Sequence, residues 1–316
     1  MGRGRVGVAT SDVGWLQWQP AVVMATISAI VGFALWRAET GWARGVGAFA
    51  REFALVLSLY TIWILAGRLS IVRVDEGLVN GRWVYHAEQW LHLPSETHLQ
   101  NWLIAHPWPA RLTNGYYAIV HAPAMMITLL WLFLSHREKY SKWRVALAIT
   151  TLSCLVIQYV PVAPPRMYPQ FGFVDVARLF DQSVYGPLGQ GISDQLSAMP
   201  SVHVAWALWV AAVVIAAASS PWRWLVLAHP IATVWAVVAT SNHWWADGIV
   251  AGALLAMSVV IDSAVRRAWH ARRGGAKPPP DAPPDGQLVD VTVGANEGLV
   301  AALPISTSSG SRRSST

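Results

Sequence analysis

Two histidines suited to acid–base chemistry lie at the starts of two apolar segments. AMPSVHVAWALW places His203 two residues after Ser201, and SNHWWADGIVAG places His243 four residues before Asp247. On a helix, residues four apart share one face, so Asp247 can accept a hydrogen bond from one ring nitrogen of His243 and leave the other nitrogen free. A histidine oriented in this way is suited to act as a nucleophile or a base.

A third segment, VPVAPPRMYP, supplies a cation. Its prolines end an apolar run and place Arg166 just beyond that run. The planar guanidinium group suits a phosphate. Ser201 occupies a cap position, where exposed helix amides also favour an anion. An anion clamp together with an acid–base pair is what phosphoryl transfer through a histidine requires.

These groups must meet at one membrane surface. Positions 203 and 243 are 40 residues apart, with the turn SSPWR near the midpoint. Forty helical residues span about 60 Å, which is one trip across a ~30 Å hydrocarbon core and one trip back. We therefore expect both histidines and Arg166 to lie at the same face.

The elements that position them are membrane helices. Of 316 residues, 54% are hydrophobic, 13% are charged and 19 are tryptophan, a composition typical of an integral membrane protein. The sequence predicts an all-α polytopic helix bundle with about seven crossings. They are expected at 20–36, 53–72, 115–134, 143–162, 202–219, 222–240 and 244–263.

The basic residues follow the positive-inside pattern. If the helices alternate, the arginines and lysines around 37–51, 137–144, 223 and 266–277 all fall on one side. The amino terminus is then outside, the carboxyl terminus is cytosolic and the site faces the non-cytosolic side of the plasma membrane. The formal charge of +6 thus reflects topology, and no nucleic-acid partner is expected.

The chain divides into three parts by composition. Residues 1–19 form an N-terminal segment without an evident cleavable signal, and residues 20–272 form the membrane-embedded catalytic domain, with its motifs within 114–252. Residues 273–316 are rich in Pro, Gly and Ser and are predicted to be a disordered cytosolic tail. The stretch 84–103 is too polar to span and predicts an amphipathic helix or helix pair at the outer surface.

Several other chemistries fit part of this pattern. Two histidines at matched depth are compatible with haem ligation, and two histidines with a carboxylate are compatible with a metal site. Haem ligation gives no reason for Arg166, Ser201 or Asp247. The metal site stays open, and activity that is retained in excess chelator would exclude it. A CDP-alcohol phosphotransferase needs an aspartate-rich metal motif that is not found here, and the single cysteine excludes a disulfide framework.

APPR, PSVH and HWWAD, in this order and spacing, resemble the type 2 phosphatidic acid phosphatase superfamily. More narrowly, residues 75–260 resemble the branch of fungal inositol phosphorylceramide synthase and related bacterial proteins, in AEQWLHLPSE and NGYYAIVHAP as well. The resemblance implies a six-helix core plus one N-terminal helix, with no metal and no organic cofactor. It makes His243 the nucleophile, Asp247 its orienter and His203 the general acid. Arg166 and Ser201 become phosphate ligands.

The sequence departs from phosphatase members at three positions. Val202 replaces a glycine, Val237 an arginine and Tyr159 a lysine. The missing cations favour the inositol phosphotransferase-like branch. They also leave substrate contacts to be supplied, for which the candidates are Arg68, His121 and Tyr117.

The expected function is phosphoryl transfer on a lipid phosphate or phosphodiester through a phosphohistidine. The enzyme would be a lipid phosphatase or an inositol-phosphate or headgroup phosphotransferase, with a polyol as a further partner in the second case. The alternative is a catalytically silent transporter or scaffold that binds a lipid phosphate.

Overall fold

The chain is helical throughout the part that its computed structural model describes. This part comprises residues 18–69, 73–182 and 196–274, without the side chains of residues 63, 64, 66–69, 273 and 274. Apart from helices, these ranges contain turns, loops and one isolated parallel bridge between Val162 and Ser197. The predicted all-α class is confirmed.

The described ranges contain eleven α-helices and three 3-10 helices. The α-helices are α1 (Trp18–Ala34), α2 (Gly41–Leu69), α3 (Val74–Trp90), α4 (Glu96–Ile104), α5 (Pro107–Ile119), α6 (His121–Ser135), α7 (Arg137–Ile157), α8 (Val176–Leu179), α9 (Val202–Ala217), α10 (Ala228–Ala239) and α11 (Trp245–Gly274). The 3-10 helices are Pro165–Met167, Pro169–Phe171 and Pro221–Leu227.

Three helical segments of the described ranges are long and apolar enough to cross a membrane, namely Gly41–Ile62, Pro221–Ala239 and Trp245–Arg272. The pair α5 and α6 makes a fourth if it is one bent span, and α1 and α9 are shorter apolar helices. A polytopic membrane bundle is therefore the observed architecture. The count of seven crossings stays a prediction, because α7 begins with charged residues and falls outside this set.

Two predicted crossings differ from the helices observed. The predicted span 115–134 is two helices that meet at an angle of 48°. Pro123 lies in the first turn of α6, where its ring clashes with the carbonyl of residue 119 and breaks the helix at the end of α5. Residues 53–69 of the predicted span 53–72 belong to α2, which already begins at Gly41, and residues 70–72 lie outside the described residues.

The core of the bundle is built around α9. This helix packs against α6, α7 and α10. Trp209 is fully buried at its centre, and its indole nitrogen donates to the carbonyl oxygen of Trp143 on α7 at 2.9 Å. A tryptophan in an apolar interior needs such a partner for its N–H group. The bond fixes how the histidine-bearing start of α9 is presented to its neighbours.

Close contact between α3 and the proline-rich segment after α7 fixes the second layer of the site. Ala163 donates its backbone N–H to the carbonyl oxygen of Gly77 at 2.9 Å. The hydroxyl group of Tyr168 donates to the carbonyl oxygen of Leu78 at 2.7 Å. Gly81 lies at this contact, and the absence of a side chain there lets the two backbones approach.

The predicted domain limits are only partly described. Residues 1–269 form one compact unit and residues 270–316 a second. Of the second unit, the structure describes only residues 270–274, so nearly all of the predicted tail at 273–316 lies outside the described residues. The stretch 84–103, predicted as an amphipathic helix or helix pair, belongs to α3 and α4. Its location at a membrane surface stays a prediction.

Gly81→Ala should destabilise the fold. A Cβ atom at position 81 would lie 2.3 Å from the hydroxyl oxygen of Tyr168 and 2.5 Å from the carbonyl oxygen of Ala163. We expect overpacking to lower the free energy of unfolding by about 1–3 kcal/mol, measured by thermal or denaturant unfolding of the purified protein in detergent. Gly115→Ala is the matched control, since no heavy atom lies within 4 Å of its added Cβ. Equal stability of the two variants would contradict this packing.

Candidate active site

Arg166 is held beside the segment that carries His243. Its backbone N–H donates to the carbonyl oxygen of Ser241 at 3.0 Å, and its Nη1 donates to Oδ1 of Asn242 at 2.8 Å. Its Nε lies 3.9 Å from Oδ2 of Asp175, and its side chain is 5% exposed. These contacts fix the guanidinium group next to the residue that precedes His243.

His243 lies between a carbonyl oxygen and a carboxylate. Its Nδ1 is 2.8 Å from the carbonyl oxygen of Ala198 and 3.2 Å from Oδ2 of Asp247. Because a carbonyl oxygen only accepts, Nδ1 carries the hydrogen and Nε2 keeps its lone pair. Asp247 is fully buried, and its Oδ2 also accepts from the backbone N–H of Trp244 at 2.9 Å. The predicted pairing of His243 with Asp247 is present, but His243 lies in the turn before α11, which begins at Trp245, so the two residues do not share a helix face as predicted. Ala198 is an added partner.

Burial also favours the neutral form of His243. Removal from solvent lowers the pKa of His243 to about 4, the nearby charge of Arg166 lowers it further, and the hydrogen bond to Ala198 opposes both effects. Near neutral pH the ring is therefore unprotonated. This is the form in which an imidazole nitrogen can attack phosphorus.

Ser201 caps α9 and connects it to α11. Its Oγ accepts from the backbone N–H of Val204 at 3.4 Å, as expected of a helix cap. Its own backbone N–H donates to the carbonyl oxygen of Asp247 at 3.3 Å. The side chain is buried, and its hydroxyl hydrogen is not used by the cap bond. The start of α9 and the first turn of α11 thus meet at Ser201.

The rings of His203 and His243 are neighbours. Their centroids are 5.8 Å apart, and the ring of Tyr117 lies 4.6 Å from His203 and 6.5 Å from His243. His121 lies 4.9 Å from His203. Two of the three candidate substrate contacts therefore lie beside the histidine pair. The side chain of the third, Arg68, lies outside the described residues.

The structure thus brings together all five residues predicted to carry the chemistry, although their catalytic roles remain predictions. The set is His243, His203, Asp247, Arg166 and Ser201. In the described ranges, no group of three or more His, Cys, Asp or Glu side chains is arranged to hold a metal ion.

A family model described as the PAP2 superfamily matches residues 82–261. The chain belongs to the PAP2 superfamily. It matches no curated protein and no solved structure. Membership supports a phosphatase- or phosphotransferase-type membrane enzyme for lipid phosphates, and the matched residues include every element of the site described above.

Three positions of this PAP2 superfamily chain differ from the phosphatase members, and their side chains lie in different environments. Val202 and Val237 are both buried in the apolar cluster around α9, at 7% and 1% exposure. Tyr159 is 58% exposed in the turn after α7. None of these three side chains brings a positive charge to the histidine pair, and Arg166 lies beside it.

Sequence reasoning missed the residues that hold Arg166 and the loop before His243 in place. Asn242 and Asp175 hold Arg166, but neither stands at a spacing that points to it. Gln100 on α4 accepts from the Ser241 hydroxyl at 2.6 Å. That bond matters because Ser241 has φ 57, a left-handed conformation that needs support in a residue other than glycine.

A buried pair of glutamates lies behind Asp247. Glu88 on α3 and Glu96 on α4 are each 2% exposed, and Oε1 of Glu88 accepts from the backbone N–H of Ala246 at 2.7 Å. Oε2 of Glu88 and Oε1 of Glu96 are buried and accept from no donor in the described residues, so a proton shared between the two carboxyl groups would give both a partner. Burial, followed by the bond to Glu96 and its charge, raises the pKa of Glu88 to about 10. AEQWLHLPSE contains both residues, so the resemblance pointed to this stretch but not to the pair.

Glu88→Gln should preserve the fold and reduce its sensitivity to alkaline pH. Between the ordinary glutamate pKa of 4.5 and about 10, the folded chain keeps a proton that the unfolded chain has released. The stability of the wild type therefore falls as pH rises through this window. Glutamine supplies an uncharged donor to Glu96 and keeps an acceptor for Ala246. We expect the unfolding temperature of Glu88→Gln minus that of wild type, both measured in detergent, to increase from pH 5 to pH 9.

Glu88→Ala is the contrasting variant. It leaves the N–H of Ala246 and the carboxyl group of Glu96 without partners, so we expect it to cost about 1–3 kcal/mol at pH 6. A difference in unfolding temperature between wild type and Glu88→Gln that stays the same at every pH would contradict the shared proton.

Proposed function

We propose that this protein is an integral membrane enzyme that transfers a phosphoryl-containing group of a lipid through a phosphohistidine on His243. The observation that carries the proposal is the fixed tautomer of this residue. The Ala198 carbonyl oxygen and Asp247 hold the Nδ1–H group, so the lone pair of Nε2 is available close to the ring of His203 and the guanidinium group of Arg166.

In the first step, the Nε2 lone pair of His243 forms a bond to phosphorus. The bond between phosphorus and the leaving alcohol oxygen breaks, and that oxygen takes a proton from His203. Arg166 and the hydroxyl group of Ser201 bind the phosphate oxygens as their negative charge redistributes. Asp247 stabilises the positive charge that develops on the His243 ring.

In the second step, water or an acceptor hydroxyl attacks phosphorus. His203, now neutral, accepts the proton of the attacking group, and the bond between phosphorus and His243 breaks. Water as the acceptor gives a lipid phosphatase. A polyol such as inositol gives an inositol-phosphate or headgroup phosphotransferase, with Tyr117, His121 and Arg68 as candidate contacts to the substrate or acceptor.

Two features favour the transferase branch and the outer membrane face. The cations missing at positions 159 and 237 match the inositol phosphotransferase-like branch that the sequence resembles. The positive-inside distribution of Arg and Lys places the carboxyl terminus in the cytosol. With alternating helices, the site then faces the non-cytosolic side of the plasma membrane.

His243→Asn should abolish turnover while preserving the fold. The asparagine amide can replace the Nδ1–H donor but has no nucleophile in place of Nε2, so we expect a loss of at least roughly 10³-fold. The assay follows free phosphate and inositol phosphate formed from labelled lipid phosphates, with and without inositol. His270→Asn, at an exposed position of α11, is the matched control and should keep wild-type activity.

The products distinguish the two forms of the proposal. Free phosphate in both conditions indicates a phosphatase, whereas inositol phosphate that forms only when inositol is present indicates a transferase. Full activity of His243→Asn would exclude the mechanism. Binding of lipid phosphates without turnover of any donor would instead establish a silent binding protein or transporter.

A further inference from the structure

A line of histidines continues from the proposed site into the interior of the bundle. The ring of His203 lies 4.9 Å from that of His121, which lies 5.9 Å from that of His229. His121 is 3% exposed. The mechanism above uses His203 and names His121 only as a candidate contact to the substrate or acceptor.

The hydrogen bonds of His121 determine which of its nitrogens can accept. Nδ1 lies 3.1 Å from the carbonyl oxygen of Tyr117, one helical turn earlier. A carbonyl oxygen only accepts, so Nδ1 carries the hydrogen and the neutral ring presents a lone pair at Nε2. Nε2 of His121 is buried and has no hydrogen-bond partner in the part of the chain that the structure describes.

His203, in turn, needs a hydrogen-bond acceptor when it is protonated. To give a proton to the leaving oxygen it must be the imidazolium, in which both ring nitrogens carry hydrogen. Its Nδ1 is buried and, across the described ranges, has no partner either. Among these residues, no carboxylate forms an ion pair with His203, in contrast to His243 and its Asp247. An imidazolium without an acceptor for this hydrogen would be unfavourable in an apolar interior.

The distance between the two rings suits a direct bond. Two imidazoles joined by a linear N–H···N bond have centroids about 5 Å apart, from a donor–acceptor distance near 2.9 Å plus the radius of each ring. The observed 4.9 Å meets this requirement. The groups facing the two rings are the phenol rings of Tyr116 and Tyr117 and the imidazoles of His229 and His243.

We propose that His121 is a positioning residue that holds the proton-donating form of His203 by accepting a hydrogen bond from its Nδ1. This inference rests on the proposed function. It gives His203 a partner equivalent to the one that Asp247 provides for His243. It also explains why the partner is an imidazole, because a neutral acceptor stabilises the imidazolium without binding its proton as tightly as a buried carboxylate would.

The test compares leaving groups. Dodecyl phosphate releases a weakly acidic alcohol that needs a proton, whereas 2-nitro-4-dodecylphenyl phosphate releases an acidic phenol that does not. His121→Asn keeps a donor for the Tyr117 carbonyl oxygen but has no acceptor at the place of Nε2. We expect its kcat/KM to fall roughly 10- to 100-fold on the alkyl substrate, part of the 10²–10⁴ that general acid catalysis contributes. On the aryl substrate it should stay within about threefold of wild type, because proton donation is no longer needed.

Two further variants separate positioning from general damage. His121→Gln places an amide oxygen near the position of Nε2 and should recover most of the loss. His229→Asn makes the same chemical change one ring further away, and we expect any loss to be equal on the two substrates. Equal losses of His121→Asn on both substrates, or a selective loss of the same size in His229→Asn, would overturn the proposal.

The control variant His203→Ala distinguishes failure of the role assigned to His121 from failure of the proposed function. If His203→Ala loses activity selectively on the alkyl substrate and His121→Asn does not, only the role of His121 is wrong. If wild type turns over neither substrate, or if His203→Ala loses both equally, the general-acid mechanism itself is wrong and the inference falls with it.

Discussion

The buried carboxylate of Asp247 is the constraint around which the site is arranged. A fully buried acid at the start of a long membrane helix is costly unless donors surround it. Here the backbone N–H of Trp244 and the ring of His243 both donate to Oδ2 of Asp247, and the backbone carbonyl oxygen of Asp247 accepts from the N–H of Ser201. One residue therefore orients the nucleophile and joins the starts of α9 and α11.

The remaining elements place groups around this pair. The contact of α3 with the proline-rich segment carries Arg166 to Asn242, and α4 supports the left-handed turn at Ser241. Glu88 binds the amide that precedes Asp247. The helices α3 and α4 thus hold the loop between α10 and α11 in place.

Sequence reasoning predicted the helical class and the five site residues because both follow from local rules. The cap at Ser201 depends only on helix geometry and nearby amides. His243 precedes α11, so its contact with Asp247 arises in the turn before the helix, where Asp247 also accepts from the backbone N–H of Trp244. The break at Pro123 was missed because hydropathy averages over it. Asn242 and Gln100 were missed because their contacts join segments far apart in sequence, where no periodicity indicates proximity. Asp175 was missed because it contacts Arg166 across a short irregular stretch that has no regular spacing. The pairing of Glu88 with Glu96 required knowledge of how α3 packs on α4.

The most direct test of the account is to trap the intermediate. The purified protein in detergent is mixed with radiolabelled lipid phosphate, quenched with alkali within milliseconds to seconds, and digested for mass spectrometry. We predict an acid-labile, alkali-stable phosphoryl group on His243, absent from His243→Asn and longer-lived when His203 is replaced by alanine. Turnover of the lipid without any label on His243, or with the label on His203, would contradict the central claim.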